Sequence, residues 1–187
     1  MLSDWAVISI AILIVVLLIW IGFTFNRFVR LRNMAREAWS GVDVQLKRRH
    51  DLILRLVECV KGYRGYEASV LEKLTQARAQ AQTATGALAS NQAETGVTQT
   101  LRTFLGLAEA YPDLKAGRNF QDLSAALIET EDQLQYARRY YNGTVRDYSI
   151  LAESFPSQYV ARLFGFQPPP YFEVESSLDR QVPEVKI

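Results

Sequence analysis

The sequence predicts an all-α protein: an N-terminal transmembrane helix continuing into an antiparallel bundle of three long helices, followed by a short C-terminal helix and an extended tail. Three observations predict it. From Trp5 to Phe25 no residue is charged. No proline occurs between Met1 and Pro112, so nothing in that stretch removes a backbone donor and forces a helix to end. Beyond the apolar run, apolar and small residues return at three- and four-residue steps, the signature of one buried helical face.

The run from Ile8 to Ile19 is almost purely aliphatic, and at about 20 residues the whole apolar segment is long enough to cross a bilayer while satisfying its own backbone. Trp5 at one end and Trp20, Phe23 and Phe25 at the other resemble the aromatic belts found at headgroup depth. A cleaved signal peptide needs a basic start and a small-residue cleavage site. This chain begins Met1-Leu2-Ser3-Asp4 and leaves the run through Phe25-Asn26-Arg27-Phe28, so the segment reads as a retained anchor. Arg27, Arg30, Arg32 and Arg36 follow it, whereas only Asp4 and the terminal amine precede it. The positive-inside bias then puts the N-terminus outside and the remainder in the cytoplasm.

The first helix continues through Phe28, Leu31, Ala35, Ala38, Val42 and Leu46, then Ile53, Leu56, Val60, Tyr63, Val70, Leu74, Ala77 and Ala81. Asp51, Arg55, Glu58 and Lys61 alternate in sign along another face and read as solvated. Gly62 and Gly65 are the candidates for a break. Unbroken, the rod beyond the membrane reaches Ala84, about 85 Å at about 1.5 Å per residue; broken, the count becomes four helices. Thr83 to Gly96 is small and polar and reads as the linker. A second helix follows with Val97, Leu101, Phe104, Ala108 and Tyr111, stopped by Pro112. The third starts at Asn119 as N-cap and runs Phe120, Leu123, Leu127, Thr130, Leu134, Ala137, Tyr141, Thr144, Tyr148, Leu151 and Phe155 at alternating three- and four-residue steps, a coiled-coil heptad pattern that Pro156 ends. A turn of helix over Ser157 to Phe164, closed by Gly165, precedes Pro168-Pro169-Pro170, and Glu173 to Ile187 reads as loosely held. The domains so read are an anchor over 1–26, a cytoplasmic bundle over 27–156, and a short helix with extended tail over 157–187.

Composition narrows the function. Lys plus Arg total 21 against 20 for Asp plus Glu, so no basic surplus favours a nucleic-acid partner. One cysteine, Cys59, and one histidine, His50, leave no ligand set for a protein-built zinc site and no internal disulfide. Cys59 reads as a small core or interface residue. No Gly-x-Ser-x-Gly elbow and no phosphate-binding glycine loop occurs. His50, within Lys47-Arg48-Arg49-His50-Asp51, reads as a partly exposed residue on a charged helix, although a neighbouring carboxylate would make it a general base. Glu129, Glu131 and Asp132 read as a solvated acidic face, since no Glu-x-x-His partner supports a di-metal bundle site. No catalytic residue, cofactor or metal is therefore expected, and the protein reads as non-enzymatic.

The polar residues that stand out are Glu37, Asp43, Arg48, Arg49 and Asp51 on the first helix and Arg138, Arg139, Asn142 and Arg146 on the third. The Lys47-Arg48-Arg49 run spans about 200° of a helix at about 3.6 residues per turn, so at least one of the three points at protein. Pairs such as Asp43 or Asp51 with an arginine of the third helix would fix register. The same residues could instead line an inter-subunit or ligand surface, with Arg138, Arg139 and Asp43 as the ligand-binding set.

The stretch Glu37-Ala38-Trp39-Ser40-Gly41-Val42-Asp43-Val44-Gln45-Leu46-Lys47-Arg48-Arg49-His50-Asp51-Leu52-Ile53 resembles the LemA family of bacterial membrane proteins. The likeness continues through Ala108-Glu109-Ala110-Tyr111-Pro112-Asp113-Leu114-Lys115-Ala116, Ala137-Arg138-Arg139-Tyr140-Tyr141-Asn142, Val145-Arg146-Asp147-Tyr148, Phe155-Pro156 and Gly165-Phe166. It departs at Leu54-Arg55, where the family pattern commonly has Pro-Asn, and at Tyr66, where a histidine is usual. The missing proline favours a straighter first helix. The resemblance implies an N-terminal anchor, a cytoplasmic helical bundle and no established catalytic activity, with one branch associated with building internal membranes and other members found beside membrane proteases. The expected function is thus a self-assembling membrane scaffold, on the premise that Phe28 to Leu46 lacks a partner within its own chain and is buried by further copies. The alternative is an adaptor for another membrane protein such as a protease. The partners expected are the lipid bilayer, further copies of the chain and another membrane protein of that kind, not nucleic acid.

Overall fold

The computed structural model describes residues 2–62 and 67–172, with side chains placed from Asp4. Among the described residues there are six α-helices and no strand: α1 Leu2–Lys61, α2 Ala68–Thr83, α3 Ala87–Ala108, α4 Pro112–Ala116, α5 Arg118–Glu153 and α6 Ser157–Phe164. The all-α class stands. Tyr63, Gly65, Tyr66 and the tail from Glu173 to Ile187 lie outside the described residues.

α1 is helical for 60 residues because nothing interrupts it. Its internal Gly22 and Gly41 sit in open space and need no special conformation. Its N-terminal part is apolar enough and long enough to cross a membrane and carries no protein cover. The rod does not reach Ala84, however. α1 ends at Lys61 and turns at Gly62, so α2 is a separate helix and the long helices number four. The entropic cost of glycine in a helix interior prevails at this point over the continuous apolar register.

The small polar stretch after Thr83 is also helix for most of its length. Only Ala84, Thr85 and Gly86 link α2 to α3, and Gly86 takes φ +82°, ψ 163°, a region open essentially to glycine. From Ala87 onward alanine, glutamine and glutamate are strong helix formers, and the small side chains of the alanines and Ser90 let α3 lie against α2. Two packed helices joined by so short a link run antiparallel. α3 ends at Ala108, ahead of Pro112, which instead opens α4 at the position where a missing N–H costs nothing. Asn119 lies inside α5, not at its cap.

The chain divides into two compact units. One comprises Met1–Ala38 with Tyr140–Pro169. Its core is Phe28, Tyr148, Leu151, Val160, Ala161 and Phe166, with Trp20, Ile21 and Phe25 packed against it. α6 ends in a left-handed Gly165 (φ +67°), and the Phe166 N–H returns to the Ala161 carbonyl at 2.9 Å, the bond of a Schellman cap. Phe155, expected on the buried heptad face, is instead 77% exposed, because α5 stops at Glu153 before completing that turn.

The other unit comprises Trp39–Arg139 with the segment beginning at Pro170. Its core gathers Ile53, Leu56, Val57 and Val60 of α1, Leu71 and Leu74 of α2, Val97, Leu101 and Phe104 of α3, Leu114 of α4, and Phe120 and Leu127 of α5. Cys59 is half-buried against it. Asp51, Arg55, Glu58 and Lys61 form the exposed ladder of α1. The premise that Phe28 to Leu46 lacks an internal partner is overturned: Phe28, Ala35, Ala38, Val42 and Leu46 are all buried within this one chain.

Candidate functional site

Between Leu46 and Ile53 the apolar stripe of α1 skips a full two turns, and the residues that fall on the core side there are Arg49 and His50. Both are buried, Arg49 completely, so the expectation of a partly exposed His50 is corrected. The same logic applies to α3. Its buried positions run Ala87, Ser90, Glu94, Val97, Leu101, Phe104 and Ala108, so the apolar register continues backward through a carboxylate. Glu94 is 2% exposed.

These residues meet. Arg49 Nη1 donates to Glu94 Oε2 at 2.6 Å, and Arg49 Nη2 donates to Thr98 Oγ1 at 2.9 Å. His50 Nε2 lies 2.7 Å from Glu94 Oε1; an ionised carboxylate only accepts, so the Nε2–H donates. One glutamate thus holds two side chains of α1 through its two oxygens. On the far side Arg49 Nε lies 2.6 Å from Glu131 Oε1 of α5. That separation makes an ion pair, but the N–H is not aimed along it, and neither atom has a directed hydrogen bond. Glu131 therefore does not belong to a solvated acidic face, whereas Glu129 and Asp132 are exposed. Arg78 of α2 donates from Nε to the His50 carbonyl at 2.8 Å, bringing a fourth helix to the centre.

Arg138 completes the cluster. It is buried, its Nε has no hydrogen-bond partner among the described residues, and its guanidinium lies 4.6 Å from the centroid of Phe172, over the ring face. Phe172 is itself fully buried and also packs on Trp39, with ring centroids 5.7 Å apart. The chain after Pro168-Pro169-Pro170 thus places an aromatic ring over a buried cation.

Charges at such depth perturb one another. Burial acts most strongly on Glu94 and alone would raise its pKa. The hydrogen bonds and charges of His50 and Arg49 together outweigh it, the His50 hydrogen bond and the Arg49 charge foremost, and the carboxyl is held below its ordinary 4.5. Burial lowers the pKa of Arg138, and the Arg49 charge lowers it further, with Glu131 and Glu94 opposing both. Desolvation likewise raises Tyr141 and Tyr148 above the usual phenol value.

The remaining residues singled out in the sequence are dispersed. Asp43 pairs with Lys47 one turn along α1 at 3.2 Å, not with an arginine of α5, and Asp51 is exposed. Arg48 reaches Glu129 at 3.6 Å across an exposed surface. Arg139 points away from Arg138 and lies over Tyr136 at 4.6 Å. Arg138, Arg139 and Asp43 therefore do not form a ligand-binding set. In the other unit Glu37 is exposed, Asn142 is half-buried, and Arg146 contacts only its neighbour Asp147 among the ion pairs seen there, at 3.4 Å. Glu94 and Phe172 were not singled out from sequence, and Glu131 was read only as part of a solvated acidic face. For the glutamates the signal was present, as polar residues in apolar register; for Phe172 none was.

The cluster is a closed polar core. Arg49 stands between the two carboxylates, and no group of three or more His, Cys, Asp or Glu among the described residues converges as metal ligands. The larger surface cavities open elsewhere, beside Cys59 and Arg118 and beside Leu71 and Glu72. Compared with known families, residues 38–187 match the LemA family, a span holding every residue of this cluster. Protein LemA of Metamycoplasma hominis is 28% identical over 134 residues, which cover 71% of this chain and 58% of that protein. Magnetosome protein MamQ 2 of Paramagnetospirillum magneticum is 22% identical over 184 residues, and MamQ of Magnetospirillum gryphiswaldense 21%; each match covers 84% of this chain and 68% of the relative. With the apolar helix and the relatives in agreement on a membrane-associated helical protein, and the family match spanning most of its length, this chain belongs to the LemA family.

Proposed function

We propose that the protein is a non-enzymatic scaffold, anchored by the apolar part of α1, whose copies assemble to organise the membrane or proteins within it. The observation that carries this reading is the double use of α1. Its N-terminal stretch is bare and of membrane length, while further along the same helix supplies Arg49 and His50 to a core in which charge is matched against charge. Catalysis needs a polar group free to meet a substrate, and here the buried carboxylates are already engaged. Resemblance to proteins named for the magnetosome supports an organising role. The basic residues Arg27, Arg30, Arg32 and Arg36 favour a single-pass arrangement in the inner membrane with the helical body in the cytoplasm.

Since the Phe28 to Leu46 stripe is buried internally, assembly draws on other surfaces. Ile128 and Tyr136 stand on the outer side of α5, 64% and 61% exposed, and apolar side chains so placed are covered when copies associate with closed symmetry. Mild-detergent extraction at native abundance followed by mass photometry tests this. Particles holding several 21.2 kDa chains are expected. A single chain per micelle overturns self-assembly, and a reporter active only in the periplasm that works when fused after Ile187 overturns the orientation.

A further inference from the structure

α6 carries more apolar surface than its unit buries. Val160 and Ala161 face the core, but Phe155, Tyr159 and Leu163, spaced one turn apart, point outward, Leu163 being 73% exposed, and Phe164 is half-exposed beside them. In water such a patch, concentrated on a helix of eight residues, is a liability. Its location explains it. From Trp5 to Phe25, α1 rises about 30 Å at about 1.5 Å per residue, the thickness of a hydrocarbon core, so Phe25 lies where the helix leaves the bilayer. The Phe25 ring contacts Phe164 edge-on at 5.0 Å and Phe166 at 5.2 Å between centroids. Phe28 stacks on Phe166 at 4.7 Å with the rings 10° apart, and the Arg32 guanidinium lies 5.7 Å from the same ring. Residues 164–166 are therefore held at the depth of the membrane surface by side chains of the anchor itself.

We propose that α6 and the turn before it form a second membrane contact, a foot whose outward aromatic and leucine side chains insert among the headgroups and upper acyl chains of the leaflet from which α1 emerges. The bilayer is favoured over a protein partner as occupant because the patch is continuous, through Phe164 and Phe25, with the segment that crosses it. Arg162, at the end of α6, supplies a cation for anionic headgroups. A short helix that buries one side in its unit and exposes aromatic and leucine side chains beside a cation is suited to lie at such an interface. The foot would limit the tilt of the anchor, giving the helical unit around it a set height above the bilayer.

This proposal rests on the membrane-anchor reading, and the test separates the two. The full chain with Cys59→Ser and Leu163→Cys is labelled with an environment-sensitive fluorophore and reconstituted into phosphatidylcholine–phosphatidylglycerol vesicles. A second preparation carries the label at Ile12→Cys. Both positions are exposed in the folded chain, so labelling demands no repacking, and far-UV circular dichroism should match the parent. The expected result is that label at 163 is quenched several-fold more by lipids spin-labelled near the headgroup than by aqueous iodide, and label at 12 by lipids spin-labelled at mid-chain. Iodide access at 163 with mid-chain quenching at 12 overturns the foot and leaves the anchor. Iodide access at both overturns the anchor and the foot with it. Shielding at 163 from both iodide and lipid quenchers shows the face covered by protein, and also overturns the proposal.

Discussion

Replacing Glu94 by glutamine keeps the shape of the side chain and removes the charge that holds Arg49 and His50 together. Glutamine offers one acceptor and one NH2 group where the carboxylate offered two acceptors, so it cannot accept from both Arg49 Nη1–H and His50 Nε2–H, and it satisfies both side chains only if His50 changes to the tautomer whose Nε2 accepts. Among the described residues the other carboxylate paired with Arg49 is Glu131, whose contact is close but misdirected and does not substitute for the lost bond. Breaking a buried pair by removing one partner costs about 3–5 kcal/mol, because the remaining charge stays buried without compensation. For a chain of this size each kcal/mol lowers Tm by about 2–4 °C, so Glu94→Gln is expected to melt about 6–20 °C below wild type. The comparison is Glu129→Gln, which removes an exposed pair with Arg48 at 3.6 Å, worth about 0–1 kcal/mol. The assay is thermal unfolding of the full chain in detergent micelles, followed at 222 nm by circular dichroism. The double variant Arg49→Met, Glu94→Leu should lose less than the sum of its single variants, as removing both fully buried charges leaves only the partly exposed Glu131 without its partner. Equal Tm values for Glu94→Gln and Glu129→Gln would refute the argument that the buried cluster holds the helices together.

Acidification should act through the same group. The folded pKa of Glu94 lies below its ordinary 4.5, so its contribution to stability is complete above that value and is lost as pH falls through the lower, folded value. Arg49, His50 and Arg138 face it, with Glu131 beyond Arg49, and Glu94→Gln should flatten the fall of Tm with acid relative to wild type. Phe172→Ala should empty a fully buried site over Arg138 at about 3–5 kcal/mol, with Phe172→Leu recovering part. In a Trp5→Phe, Trp20→Phe background, Phe172→Ala should also red-shift the emission of Trp39, which packs on that ring. Gly86→Ala should cost about 1–3 kcal/mol at φ +82°, as measured by urea unfolding. Gly96→Ala, in the interior of α3 with open space around it, should instead stabilise by about 0.5–1 kcal/mol.

What the sequence determined by itself is whatever local periodicity and backbone chemistry decide. The uncharged segment from Trp5 to Phe25, the absence of proline before Pro112 and the three- and four-residue spacing of apolar residues suffice for an all-α class and for the principal core positions, because each bears on a single helix. The cluster was partly legible. A seven-residue gap in the α1 stripe at Arg49 and His50, and Glu94 in register with Val97 and Leu101, mark polar residues on core faces. What only the tertiary structure decided is which of these groups meet. Arg49 takes Glu94 from 45 residues away, not a neighbouring Asp43 or Asp51, because pairing depends on which helix faces supply opposite charge at the same level. The same holds for the partner of Phe28, found in Tyr148 and Phe166, and for Phe172, whose place over Arg138 has no local signal: three prolines settle that the chain is extended but not where it goes. Such contacts are won by burial summed over several elements at once, and no window of sequence holds that sum.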